Sequence, residues 1–190
     1  MRLMLMSHAR DRNMMRILAI SGSLQAQSKN LALLTAAASW APPGVDLVLF
    51  DGIRDLPPFN PDMEASAVPE SVVRWRQVLA ASDAVLIACP EYGFSLPGAL
   101  KNAIDWVIGS GEFERKVVAI TAAVPGPERG RRGLQALRDT LSAVRASIVG
   151  GEPIPIGPEF ERQVGALVQE LIHAARRQDP RRLSTGAPTT

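Results

Sequence analysis

The sequence is short of most residue types on which specialised architectures depend. Among 190 residues there is one cysteine, Cys89, and one tyrosine, Tyr92. A lone cysteine forms no internal disulfide, which excludes a disulfide scaffold and makes a reducing compartment, the cytoplasm, the expected location. Histidine is almost as scarce. His8 stands near the N-terminus and His173 in the last helical pattern, so neither a Ser-His-Asp triad nor a His-rich metal site is expected. No apolar run is long enough to cross a bilayer, and Leu3 to Met6 is too short for a signal-peptide core. No charge of one sign dominates, the formal net charge being +2. The arginines are thinly spread, with small groups at Arg129, Arg131 and Arg132 and at Arg176, Arg177, Arg181 and Arg182. No aromatic residues are interleaved with them, so neither a nucleic acid nor a membrane is an expected partner.

What is present is apolar sequence in short, punctuated runs: 46% of residues are hydrophobic, with 15 Gly and 15 Pro. A chain of this length favours one domain and buries roughly 70% of its unfolded surface, enough for a core without staples. Residues 1–14 read as a disordered extension and 178–190, rich in Pro, Arg, Ser and Thr, as a loose tail. The domain is expected between them, over 15–177.

Within it, strand and helix patterns alternate. Strands are predicted at Arg16–Ser21, Asp46–Phe50, Ala84–Cys89, Lys116–Ala122 and Ala146–Val149, and helices at Asn30–Trp40, Glu70–Ala81, Gly98–Ile108, Gly133–Val144 and Arg162–Arg177. The segment with Pro57, Pro58, Pro61 and Pro69 reads as a long loop. Such alternation implies an α/β fold, a five-stranded parallel sheet between two helix layers. The common strand order for such a sheet, 2-1-3-4-5, puts the topological switch between the first and third strands, where ligands bind at the carboxyl ends. Two loops are therefore singled out, Gly22–Lys29 and Pro90–Leu96.

The first runs GSLQAQSKN from Gly22 to Asn30. Its hydroxyls, amides and helix N-terminus suit a phosphate. It lacks the second glycine of a Walker loop and the further glycines of a dinucleotide fingerprint. The same residues also read as a plain helix cap, with Ser28 and Asn30 satisfying first-turn amides. The second loop opens the stretch CPEYGFSLPGALKNAIDW, Cys89 to Trp106. Pro90, Gly93, Pro97 and Gly98 turn the backbone sharply and Tyr92 and Phe94 add flat surface, which suits the edge of a planar heterocycle. A turn with two inward aromatics is the alternative. Cys89 itself reads as a small core residue rather than a redox thiol.

These two stretches resemble the NAD(P)H-dependent FMN reductases, a family that includes bacterial quinone and chromate reductases. The family's first loop, GSLRxxSxN, is matched by Gly22, Ser23, Leu24, Ser28 and Asn30, and its PEYNxSxPGxLKNAIDW by Pro90 through Trp106 with one clear substitution. A weaker third pattern, paired glycines followed by Arg, is matched in part by Gly130 and Arg132, with Arg129 where a Gly is usual. The resemblance spans about Arg16 to Val149 and implies a flavodoxin-like three-layer sandwich that binds FMN. It places Ser21, Ser23, Gln25, Ser28, Lys29 and Asn30 around the phosphate. Pro90, Glu91, Tyr92, Gly93, Phe94 and Ser95 then lie along the isoalloxazine ring. Two departures stand out. Gln25 replaces the family's phosphate-pairing Arg, and Gly93 its usual Asn, so weaker FMN binding is expected.

The resemblance further implies that NADPH or NADH reduces the flavin, which passes electrons to a quinone, azo compound, metal oxyanion or free flavin, with no side chain acting as a nucleophile. A homodimer or homotetramer is implied too. Two other readings compete. A flavodoxin-like electron carrier is expected to be strongly acidic, which this chain is not. A non-catalytic binding module with a degenerate flavin site would rest on Gln25 and Gly93.

Overall fold

The computed structural model describes residues 14–126 and 128–178. The expected extension and tail lie outside those residues, apart from Met14 and Gln178. The elements run β1 (Met15–Ser21), α1 (Lys29–Ser39), β2 (Val45–Phe50), a short 3-10 helix (Gly52–Asp55), α2 (Pro61–Ser66), α3 (Glu70–Ala80), β3 (Ala84–Ala88), α4 (Gly98–Asp105), β4 (Val117–Val124), α5 (Arg131–Ala143), β5 (Ser147–Pro155) and α6 (Phe160–Gln178). All five strands are parallel in the order β2-β1-β3-β4-β5. The expected sheet and its switch between β1 and β3 are both present.

Strand alternation sends successive side chains to opposite faces, and here both faces are core. Leu18, Ile20, Val85, Ile87, Val118 and Ile120 pack with buried residues of α3, α4 and α5. Ile17, Ala19, Ala84, Leu86 and Ala119 pack with α1 and α6. Each fully buried Leu, Ile or Val contributes about 1.5–3 kcal/mol of transfer free energy. Helix α1 starts where the Ser28 hydroxyl accepts the Asn30 amide at 3.2 Å, and stops before Pro42 and Pro43.

Two predicted boundaries need correction. The proline-rich segment is not structureless, because the 3-10 helix and α2 lie within it. Asn60 caps α2 through Asp62 N, and Pro61 takes the first-turn position that needs no donor. The last strand does not stop at Val149. Its register against β4 shifts between Ile120 and Ala122, and pairing resumes to Pro155. As an edge strand, β5 accommodates Pro153 and Pro155.

The proline segment is held down by α4. The side chain of Asn102 accepts from Phe59 N at 2.7 Å and donates to the carbonyl oxygens of Pro57 (2.9 Å) and Leu56 (3.4 Å). Trp106 Nε1 donates to Pro57 O at 2.7 Å, and Phe59 meets the Trp106 ring edge-on at 5.1 Å. Helix α3 joins in through Trp75 Nε1 on Ala103 O and Arg76, which bonds both Trp106 O and Glu64. Asn102 and Trp106 of the sequence motif are thus occupied in packing, while Lys101 and Asp105 form an i,i+4 ion pair on the surface. Replacing Asn102 by Ala removes its bonds to Phe59 N and Leu56 O and leaves Pro57 O with Trp106 alone. The expected cost is about 2 kcal/mol in urea unfolding, with faster amide exchange confined first to residues 56–60.

Candidate functional site

Parallel connections bring the loops after β1, β3 and β4 to one edge of the sheet. The first two meet directly. Gly22 N donates to Ala88 O at 2.8 Å, and the Ser23 hydroxyl lies 3.3 Å from that of Tyr92. Within the first loop the Ser21 hydroxyl accepts from Ser23 N and donates to Ser23 O, and Gln25 N donates to the Ser23 hydroxyl. Ser21 therefore shapes the loop from its root. Ser23 and Ser28 are buried, whereas the side chains of Gln25 and Lys29 reach solvent. Asn30 is turned inward: its Oδ1 accepts from Ala123 N at 2.9 Å and ties the first turn of α1 to β4.

The second loop is a tight hairpin. Tyr92 and Ser95 exchange backbone hydrogen bonds of 2.9 and 3.0 Å, and the two residues between them have positive φ, 57° at Gly93 and 63° at Phe94. Positive φ at both central positions is the type I′ pattern. Glycine adopts it freely; phenylalanine does so at a cost of about 1–2 kcal/mol. Tyr92 and Phe94 are 53% and 68% exposed, which places two aromatic rings in solvent instead of turned inward.

Glu91 has a structural duty that local sequence gave no sign of. Its Oε2 accepts from Arg132 N at 2.9 Å and Gly133 N at 3.0 Å. A carboxylate from one loop thereby caps α5, which has no side-chain cap of its own. Gly133 makes the approach possible: a β-carbon there would stand 2.9 Å from Glu91 Cα and 3.2 Å from Ser95 O. Arg132, the next residue back, lays its guanidinium over the Phe94 ring, 4.4 Å from the centroid. Arg131 instead pairs with Glu152 at 2.8 Å.

Cys89 is fully buried at the foot of the second loop, its Sγ donating to Pro90 O at 3.4 Å. Burial, and then the charge of Glu91, push its pKa up to about 12. At neutral pH it is a thiol, the core residue its position suggested.

A parallel sheet of this order, with a helix start and an aromatic hairpin meeting at its switch point, defines the flavodoxin-like class of α/β proteins. Sequence comparison agrees and narrows the class. The chain belongs to the NADPH-dependent FMN reductase family, whose pattern matches residues 15–176. It is 42% identical over 128 residues to an NAD(P)H-dependent FMN reductase of Pseudomonas aeruginosa, covering 66% of this chain and 69% of that one. It is 38% identical over 125 residues to a quinone reductase of Pseudomonas putida, covering 64% and 67%. Among solved structures, the flavoenzyme NAD(P)H:(acceptor) oxidoreductase FerB of Paracoccus denitrificans superposes with a TM-score of 0.75 at 26% identity, covering 86% of this chain and 98% of that one. The protein is thus an oxidoreductase that uses FMN and NAD(P)H. Among the described residues no helix is long and apolar enough to cross a membrane.

Two substitutions probe this arrangement. Gly133→Ala forces backbone against backbone and should destabilise by about 1–3 kcal/mol, whereas Gly98→Ala, with open space at the first turn of α4, should be neutral or mildly stabilising in the same urea titration. Cys89 gives a pH signature. Its folded pKa lies above the unfolded value of 9.0, so its contribution is complete below pH 9 and falls between 9 and 12, where only the unfolded thiol ionises. Wild type should lose about 1.4 kcal/mol more per pH unit across that window than Cys89→Ala does.

Proposed function

We propose that FMN binds with its phosphate in residues 22–30 and its ring along residues 90–95, and that the chain delivers two electrons from NAD(P)H to a small acceptor: a quinone, azo compound, metal oxyanion or free flavin. For a quinone the balance is NAD(P)H, a proton and quinone giving NAD(P)+ and hydroquinone. The observation that carries the reading is the meeting of these two loops, hydroxyl to hydroxyl at Ser23 and Tyr92, at the carboxyl ends of the neighbouring strands β1 and β3.

The donor set fits the group. Between Gly22 and Asn30 stand hydroxyls, amides and one ammonium, with no carboxylate to repel a dianion. The positive end of α1 faces the same loop. Bound FMN supplies the two-electron chemistry that no side chain here provides. Ser23, Ser28 and Lys29 hold the phosphate, and Gln25 adds an uncharged hydrogen bond. The rigid hairpin presents its backbone to the ring edge, while the exposed side chains of Leu24, Tyr92 and Phe94 border the open face where donor and acceptor alternate. Asn30 and Glu91 act through position, fixing α1 and α5 rather than touching the ligand.

A net charge of +2 favours this reading over a protein-docking electron carrier. The site in this view works in the cytoplasm, in a homodimer or homotetramer. The test is an absorbance spectrum of the protein with FMN, then with NADPH under nitrogen, then with a quinone. Bands that shift on binding, bleach with NADPH and return with quinone support the proposal; no binding at tens of micromolar FMN defeats it. Gln25→Arg restores a charge-assisted bond and should tighten FMN about tenfold by fluorescence titration. Unchanged affinity would show that residue 25 does not meet the phosphate.

A further inference from the structure

Five arginines among the described residues have carboxylate partners: Arg74 with Asp55, Arg76 with Glu64, Arg131 with Glu152, Arg145 with Glu114 and Arg162 with Glu159. Arg132 differs. It is exposed, and among the described residues no carboxylate stands within ion-pairing distance of its guanidinium, which rests on the Phe94 ring instead. The neighbouring acid, Glu91, is directed to backbone amides, those of Arg132 and Gly133. Those bonds also hold the main chain beneath the guanidinium, so only the side chain of Arg132 is free to adjust.

Phe94 is equally unusual. Among the described residues it is the most exposed of the large hydrophobic side chains, and it sits at positive φ, where a residue without a β-carbon meets no strain. Folding alone gives no reason for an aromatic ring there. The conformation projects the ring from the tip of the hairpin whose root, at Tyr92, touches the first loop. A fixed aromatic surface with an unpaired cation above it recognises one chemical class well: a flat aromatic molecule that carries an anionic group.

Building on the reductase reading, we propose that Phe94 and Arg132 form an acceptor-recognition element that selects anionic aromatic acceptors over neutral ones of the same size. The ring stacks the acceptor, and the guanidinium pairs with its carboxylate or sulfonate. Electron transfer is that of the proposed reaction, NAD(P)H and a proton reducing the quinone to hydroquinone. The element changes which acceptor is held and leaves the reaction's balance as it is.

The experiment compares a naphthoquinone sulfonate with the parent naphthoquinone at saturating NADPH, in the FMN-loaded wild type and in Arg132→Gln, Arg132→Lys and Phe94→Leu. The expected result is a fall of about tenfold in the sulfonate-to-neutral ratio of kcat/KM for Arg132→Gln, carried by KM. Arg132→Lys should restore part of it, and Phe94→Leu should raise KM for both acceptors. Calorimetric binding of naphthalene sulfonate, which cannot be reduced, reads the same element without turnover, and Arg132→Gln should weaken it about tenfold. A ratio unchanged within about twofold overturns the proposal. So does a rise in KM for NADPH but not NADH with the ratio intact, which would assign Arg132 to the donor's phosphate. A change of mass in light scattering for Phe94→Leu, with the ratio and binding unaltered, overturns it by making Phe94 a contact between copies of the chain. If neither quinone is reduced while naphthalene sulfonate still binds through Arg132, the reductase reading fails and the anion-recognising element stands. Absence of both removes the two together.

Discussion

Every residue of β3, from Ala84 to Ala88, is buried, as is every residue of β4 from Val117 to Val124. A strand with no polar face cannot lie against water on either side, so the sheet needs a helix layer on each. Parallel neighbours then require helical crossovers, and right-handed crossovers send every strand-to-helix loop to the carboxyl edge. The site is a consequence of that burial. Three loops with no sequence relation to one another, after β1, β3 and β4, are delivered to one rim because the strands they follow have no other way to hide both faces.

Delivery to a rim does not fix geometry, and the side chains at this rim divide according to which task they take. Ser21, Asn30 and Glu91 bond to backbone groups: those of the loop itself, of β4 and of α5. They remove the freedom of the loops to move against one another. Gln25, Lys29, Tyr92 and Phe94 face solvent, and they remain available to a ligand. Ser23 and Ser28 stand between the groups, buried and bonded locally but with hydroxyls that can turn. The aromatic hairpin is rigid because the carboxylate of Glu91 sits on two amides of α5, and that contact exists because residue 133 has no side chain. Preorganisation here comes from hydrogen bonds among loops, not from the sheet alone.

The order of elements was legible in the sequence because each strand is a short apolar run closed by Gly, Pro or a polar pair. The switch point followed from that order before any motif was considered. Legibility failed where structure depends on partners far along the chain. The 3-10 helix and α2 span four and six residues, too few to display a helical period, and four prolines obscured them further. The end of β5 was hidden because Gly-Gly-Glu-Pro reads locally as a turn, whereas its pairing with β4 is decided by what lies across the register shift. Glu91 was expected beside a ring, yet its bond to α5 joins residues more than 40 apart. No periodicity encodes such a contact. Asn102 and Trp106 were recognised as part of a motif, but only the fold separates their work, clamping the proline segment, from chemistry.

The hairpin tip shows how one departure from the family pattern conditions the next. A type I′ turn favours Asn or Gly at its first central position, and Gly93 meets that demand with no side chain to offer a ligand. The residue after it then carries the only side chain at the tip, and it too must sit at positive φ. Asn or Gly there would relieve the strain; phenylalanine does not. Arg132 over the ring offsets part of the cost through cation–π attraction, about 0.5–1 kcal/mol at an exposed position. That recovers less than the 1–2 kcal/mol the backbone loses. The turn alone is therefore less stable with Phe94 than without it. An exposed ring held against its own backbone preference, in a loop otherwise organised for rigidity, is accounted for when something outside the chain stacks upon it.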